Sequence, residues 1–570
     1  MEMTLAEFIT LRLKQFSCYH VFGVPGTSCS GFVDTLEADE DVNFILTVNE
    51  LEAGYMADGY GRQGSIGAVC VSYGVGTLSL ANAAASALTE RVPYIIINGG
   101  PTEKDYRLQE EIGVLFAHST GHGKTDLNVF KNLTLDAEAI TDIDSATAIV
   151  DRLINTAMEK SGPVYLEVPQ DFWNLPITGF PAAFSRLEPE PSPYLYEIAE
   201  KTQSRLQQAQ EPIVLLGSEL VRMDMIDQAM AFIEKQQLPF FTTMLSKSLV
   251  SEDHPLFRGV YDSDLAPSDI TLAVESADLI ISFGCIFGID HRFLVKSQYL
   301  NMVELGYGLA RVSDEKYSDV FLPHILAELN QLDQVRENVI FSNVLLPTSY
   351  SDRRKNWVEK YNKKLGANWH KRQELSHDAI FRIVDKFFSE ADEPFFFGLD
   401  TCLASFPGAD VPLRQENTFL ANPVWLSIGQ GTPATAGAYF ATKKRPLIVT
   451  GDGGFQMVSQ TFSTLVRYNI PAIIIIIDNG SYAIEQFLID GDYFLDEGKT
   501  ALPYTRLNPW KYENMPSVYN GGYGFRADSK RELKSILRSV RHIHNEPVVI
   551  AATVSDKDLP AENLAFLNSL

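Results

Sequence analysis

Two short segments of the chain place hard oxygen donors beside free backbone N–H groups. Gly451-Asp452-Gly453-Gly454 directly follows the apolar run Pro446 to Thr450, and Asp478-Asn479-Gly480-Ser481 directly follows Ile473 to Ile477. Asp452 offers an anionic oxygen and Asn479 a neutral one. The glycines let the backbone approach a diphosphate and leave N–H groups free at a helix start. This set suits a divalent cation that the protein holds only in part and that bridges a diphosphate. Alone, each segment also reads as a plain connecting turn. Their separation of 27 residues favours the joint reading: a strand, a helix from about Phe455 to Tyr468 and a second parallel strand fill that interval, returning both side chains to one carboxyl edge of a sheet, where α/β proteins bind ligands. A third acid, Glu50, ends the strand pattern Val42 to Asn49 and precedes a helix. There it can face a pocket, or simply favour the helix dipole.

The elements that would position these residues recur along the chain. Short apolar runs bounded by Gly, Pro, Asn or Asp alternate with amphipathic stretches of helical period, the pattern of parallel α/β layers. Three Rossmann-like α/β regions, each with a mainly parallel sheet, are expected at 1–181, 197–345 and 365–570. Strands are expected at Val42 to Val48, Ala68 to Val71, Tyr94 to Ile97 and Val164 to Val168 in the first. The third has them at Phe395 to Gly398, Leu447 to Thr450, Ile473 to Ile477 and Val548 to Ala552. The proline-rich stretch from 181 to 196 reads as a linker, and Arg353-Arg354-Lys355 belongs to a polar, helix-prone bridge between the second and third regions.

Length and composition agree with a multi-domain globular enzyme: 570 residues exceed one hydrophobic core, with 45% hydrophobic and 21% charged residues. The formal charge of −26 is spread along the chain, which disfavours binding to nucleic acid or to an anionic membrane. The five cysteines form no metal-ligand or C-x-x-C pattern. The start of the chain lacks the basic stretch of a signal peptide, and no apolar run is long enough to span a bilayer, so a cytoplasmic location is expected.

The G-D-G and N-G pair, with Val21-Phe-Gly-Val-Pro-Gly26, Asn49-Glu-Leu-Glu-Ala-Gly-Tyr-Met-Ala-Asp-Gly-Tyr-Gly-Arg62, Gly259-Val-Tyr261, Ala273 to Ser282 and Gly454-Phe-Gln-Met457, resembles the thiamine-diphosphate-dependent 2-oxo acid decarboxylases of the pyruvate and indolepyruvate branch over nearly the full length. The resemblance implies thiamine diphosphate and Mg²⁺ as cofactors, with Asp452, Asn479 and the Ser481 carbonyl as metal ligands and Gly453 and Gly454 at the diphosphate. It also implies that Glu50 hydrogen-bonds the cofactor's pyrimidine, making it a local base for the weakly acidic thiazolium C2–H. Ile428 would separate the two cofactor rings, Thr401 would line the diphosphate and aminopyrimidine region, and Glu485 would be the acid near the reacting carbon.

Two departures stand out. Thr27 occupies the place of an aspartate in that branch, and Ala117-His118 stands where a His-His pair is usual, in a loop two residues longer that adds His122. His118, with His122 as a possible substitute, is the expected proton carrier. The implied reaction is decarboxylation of a small 2-oxo acid to an enamine released as aldehyde. The alternatives are a carboligase that joins the enamine to a second aldehyde or ketone, and a catalytically silent relative. The implied assembly is a homodimer or homotetramer in which Glu50 and the G-D-G segment meet across a subunit interface.

Overall fold

The computed structural model describes residues 3–180, 183–184, 189–335, 349–355 and 375–563; the expected region boundaries at 181, 345 and 365 lie outside them. The chain divides into two compact units, one of Met1–Pro189 with Ala436–Lys443, the other of Glu190–Thr435 with Lys444–Leu570.

The first unit carries a six-stranded sheet. Its strands run in the spatial order Asn43–Leu46, His20–Gly23, Gly67–Ser72, Tyr94–Gly100, Pro163–Pro169 and Asp136–Ala139, all pairs parallel. Tyr94–Gly100 and Pro163–Pro169 are buried at every position, as strands covered by helices on both faces must be, and this explains their continuous apolar runs. The expected strands all form, within a few residues at their ends.

The second unit holds two further sheets. One has seven strands. Phe257–Tyr261, Phe240–Thr243, Pro212–Leu216, Leu279–Phe283 and Met302–Gly306 are parallel, and Leu309–Val312 and Glu315–Ser318 close the edge antiparallel. The other has six, in the order Phe419–Leu420, Phe395–Leu399, Arg445–Gly451, Ile473–Asp478, Val548–Thr553 and Tyr523–Ala527, all parallel. Three mainly parallel sheets bear out the α/β expectation.

The single helix expected from Phe455 to Tyr468 is instead two, Asp452–Met457 and Thr461–Arg467. The break falls where Gly429 packs on Met457 and Val458, and Val458 leaves helical geometry there with φ −137°.

The polar bridge is not a solvated one. Arg354 is fully buried. Its Nε binds Asp378 at 2.8 Å and its Nη1 binds Asp410 at 2.7 Å, while Glu562 pairs with the remaining nitrogen. Arg353, also buried, meets Glu252 at 2.6 Å, and Glu252 in turn pairs with the buried Lys247. Removing one partner of such a cluster leaves charge in a low-dielectric interior. Arg354→Ala, which takes the paired cation from the buried Asp410 and Glu562, is expected to lower unfolding free energy by about 3–5 kcal/mol in urea denaturation at neutral pH.

Candidate functional site

Parallel register places the two donor segments side by side. Thr450 pairs with Ile476 and Gly451 with Ile477, so the chains leave adjacent strands at the same edge. Asp452 begins its helix and Asn479 lies just beyond its strand. The Asp452 Oδ2 accepts hydrogen bonds from the Asn479 N–H at 3.1 Å and the Gly480 N–H at 2.6 Å, and the Asn479 Oδ1 accepts from the Ser481 N–H at 3.2 Å. Asp452 is buried. Burial pushes its pKa up to about 7 against the pull of the Gly480 and Gly453 N–H groups, with nearby Asp478 adding repulsion. Among the described residues no basic side chain pairs with it.

These residues line a cleft enclosing about 380 Å³, its open mouth included, together with Thr401, Ile428, Gly453, Gly454 and Tyr482. Ile428 is carried on a turn held by a residue that the sequence reading did not single out. Asp400, buried at the end of its strand, accepts hydrogen bonds on Oδ1 from the N–H groups of Thr401 (2.9 Å), Gly429 (2.9 Å) and Gly431 (3.3 Å), and on Oδ2 from the Thr450 hydroxyl (2.7 Å). An acid at the carboxyl end of a strand pattern was the available signal. Gly453 has a comparable constraint: a Cβ there would run into the Tyr482 ring. Glu485 sits on the helix Ala483–Ile489 but is exposed, and the cleft takes its neighbours Ala483 and Ile484 instead.

In the first unit, Glu50 opens the helix Glu50–Gly61, which Asn49 caps by accepting the Glu52 N–H. Glu50 is half-buried, whereas Glu52 is fully buried and accepts the Val48 N–H at 2.9 Å, a structural use. Thr27 is exposed in the turn Thr27–Cys29. His118 and His122 are exposed residues of one loop and line a shared cavity of about 300 Å³ with Tyr73, Tyr106, Asp126 and Glu167. Glu167 accepts the hydroxyls of Tyr106 at 2.8 Å and Tyr165 at 2.7 Å. Neither Asp126 nor Glu167 was expected, because nothing local in the sequence marks them.

Residues 3–121 match the thiamine pyrophosphate enzyme N-terminal TPP binding domain, residues 199–299 the central domain and residues 403–552 the C-terminal TPP binding domain. The chain belongs to the thiamine pyrophosphate enzymes. It is 28% identical to a pyruvate decarboxylase of Kluyveromyces marxianus over 90% of this chain and 88% of that one. It is 27% identical to pyruvate decarboxylase isozyme 3 of Saccharomyces cerevisiae over 95% of both, and 28% identical to pyruvate decarboxylase 1 of Pisum sativum over 91% of this chain and 84% of that one. A solved benzoylformate decarboxylase from Polynucleobacter necessarius shares the fold, with a TM-score of 0.76 at 20% identity over 98% of this chain and 99% of that one.

The cofactor of these enzymes is thiamine diphosphate, and the cleft fits it. The Thr401 hydroxyl is buried without a hydrogen-bond partner, an expensive state for a polar atom unless a ligand completes it. Gly453 and Gly454 stand in the first turn of a helix, where the Gly453 N–H donates to the Asp452 Oδ1 at 2.9 Å. Among the described residues no cluster of three His, Cys, Asp or Glu side chains forms a metal site by itself. A cation here would rest on Asp452, neutral protein oxygens and the diphosphate itself, which suits Mg²⁺. Because a proton competes for the same Asp452 oxygens, cation-dependent retention of thiamine diphosphate is expected to weaken below about pH 7, approaching tenfold per pH unit, in calorimetric titrations with Mg²⁺ from pH 8 to 5.5.

Proposed function

We propose that this enzyme decarboxylates a small 2-oxo acid, using thiamine diphosphate and Mg²⁺, and releases an aldehyde. The observation that carries the reading is the cleft that gathers Asp452, Asn479, Ser481, Thr401 and Ile428 at one sheet edge. The relatives named pyruvate decarboxylase, aligned over most of both chains, support the substrate class.

When bound, the thiazolium supplies the electron sink for loss of CO2. The chain's own residues hold and orient it. Asp452, the Asn479 side chain and the Ser481 carbonyl hold the metal, and Gly453, Gly454 and Thr401 hold the diphosphate. Ile428 keeps the two rings apart. Glu50 would accept a hydrogen bond from the pyrimidine and so favour its action as a base. Protons then move through Glu485 and through His118 or His122 as product leaves. The enzyme works as a homodimer or homotetramer in the cytoplasm. Exposed Val48, Val75 and Leu78 lie in the segments that carry and flank Glu50 and supply apolar surface for a subunit contact.

Glu50→Gln tests the activation step. An amide cannot stabilise the protonated pyrimidine, so turnover is expected to fall by about two to four orders of magnitude while cofactor affinity holds within a few-fold. Steady-state CO2 release and cofactor titration measure both.

A second reading, carboligation, is favoured by one observation: the exposed side chain at the Thr27 turn is a neutral hydroxyl. A neutral hydroxyl there would supply a proton less readily than an acid, which would favour joining to a second carbonyl compound over aldehyde release. With a 2-oxo acid and excess aldehyde, wild type is expected to give a larger hydroxyketone share than Thr27→Asp. About 1.4 kcal/mol in relative barriers changes that ratio roughly tenfold, and chiral chromatography beside CO2 release reads both branches.

A further inference from the structure

The turn Tyr73 to Thr77 lies against both residues on which the chemistry of the first unit rests. A Cβ at Gly76 would come within 3.4 Å of the Glu50 Oε1. A Cβ at Gly74 would come within 2.7 Å of the His118 Cβ and 2.9 Å of its carbonyl oxygen. Gly74 and His118 are both left-handed, with φ of +68° and +62°. A glycine takes that conformation freely, whereas a histidine there is held by its surroundings. The bare Cα of Gly74 is therefore the seat that leaves room for His118.

The seat is fixed from behind. Asp126, buried in the first turn of the helix Thr125–Phe130, accepts the Gly74 N–H at 2.6 Å. The Gly74 carbonyl accepts the Leu78 N–H at 2.9 Å, and the Thr77 hydroxyl bonds the Ser72 carbonyl at 3.0 Å and the Asn98 amide oxygen at 2.7 Å. The Tyr73 ring meets His118 edge-on at 5.7 Å and Phe116 at 5.9 Å.

We propose that Asp126 is the positioning residue for His118, acting through the Gly74 N–H, and that the same turn couples His118 to Glu50. The role rests on the reading above that His118 handles protons. It gives the lengthened loop a reason to keep an acid at 126: one histidine has to serve where two are usual, so its placement matters more. The titratable groups around Asp126 are Tyr73, Tyr106, Tyr165 and Glu167 on the packed elements, with Asp105 near Tyr73, and with His118, His122 and Lys124 along the shared cavity. Burial raises the pKa of Asp126 while the Gly74 N–H and Thr77 lower it.

The test is a ¹³Cε1-histidine NMR titration of the cofactor-free protein, with His118→Gln assigning the resonance, in Asp126→Ala, Asp126→Asn and Gly74→Ala. Asp126→Ala and Gly74→Ala are expected to move the His118 resonance and to change its proton affinity by about threefold or more. In the loaded enzyme they should slow aldehyde release about tenfold with KM within about twofold, a cost in keeping with displacement of a catalytic group. Asp126→Asn keeps an acceptor oxygen and should recover most of both effects. An unchanged His118 resonance and titration in both Asp126→Ala and Gly74→Ala would overturn the proposal. If Asp126→Ala does not fold, Gly74→Ala decides by the same criterion. If wild type releases no CO2 from any 2-oxo acid, the decarboxylase reading fails, and the titration still decides the positioning.

Discussion

Asp400 leaves its strand into a nest of backbone N–H groups that would otherwise be buried and unpaired, accepting from Thr401, Gly429 and Gly431 while the Thr450 hydroxyl satisfies its second oxygen. The cleft of the second unit depends on this carboxyl. It ties the turn that carries Ile428 to the strand that delivers Asp452, and it anchors the segment that presents Thr401. Burial raises its pKa, and the hydrogen bonds pull it back. Leaving any of these buried donors unsatisfied costs more than a single hydrogen bond contributes. The geometry at the cleft mouth is therefore set by a residue that does not line the cleft.

The second unit contrasts two ways of burying charge. Arg354 is surrounded by carboxyls, and Arg353, Glu252 and Lys247 form a second buried group. These are paired internally and hold the segment Tyr350 to Lys355 against the third sheet. Among the described residues, Asp452 is met by backbone N–H groups and by no basic side chain. A carboxylate left in that state has unspent capacity for a cation, which is why its environment reads as a site and that of Arg354 as scaffold.

In the first unit the loop that carries His118 and His122 borders one cavity. Tyr73, Tyr106, Asp126 and Glu167 give that cavity a polar floor. The Tyr73 to Thr77 turn, backed by Asp126, touches both Glu50 and His118.

Much of this protein was determined by the sequence alone. The strand patterns marked the sheets, because a strand covered on both faces must be apolar along its length. The paired G-D-G and N-G segments marked one carboxyl edge of a sheet, because one strand-helix-strand unit has a nearly fixed length. Local pattern failed where the cause was not local. The expected single helix after Gly454 divides at Val458, and the polar bridge around Arg354 holds a buried ion cluster. Asp400 reaches Gly429 across 29 residues of chain, and Asp126 reaches Gly74 across 52. No period or spacing predicts such pairs. Only tertiary structure decided that these two acids became buried anchors for distant backbone N–H groups, since it is packing that removes them from water.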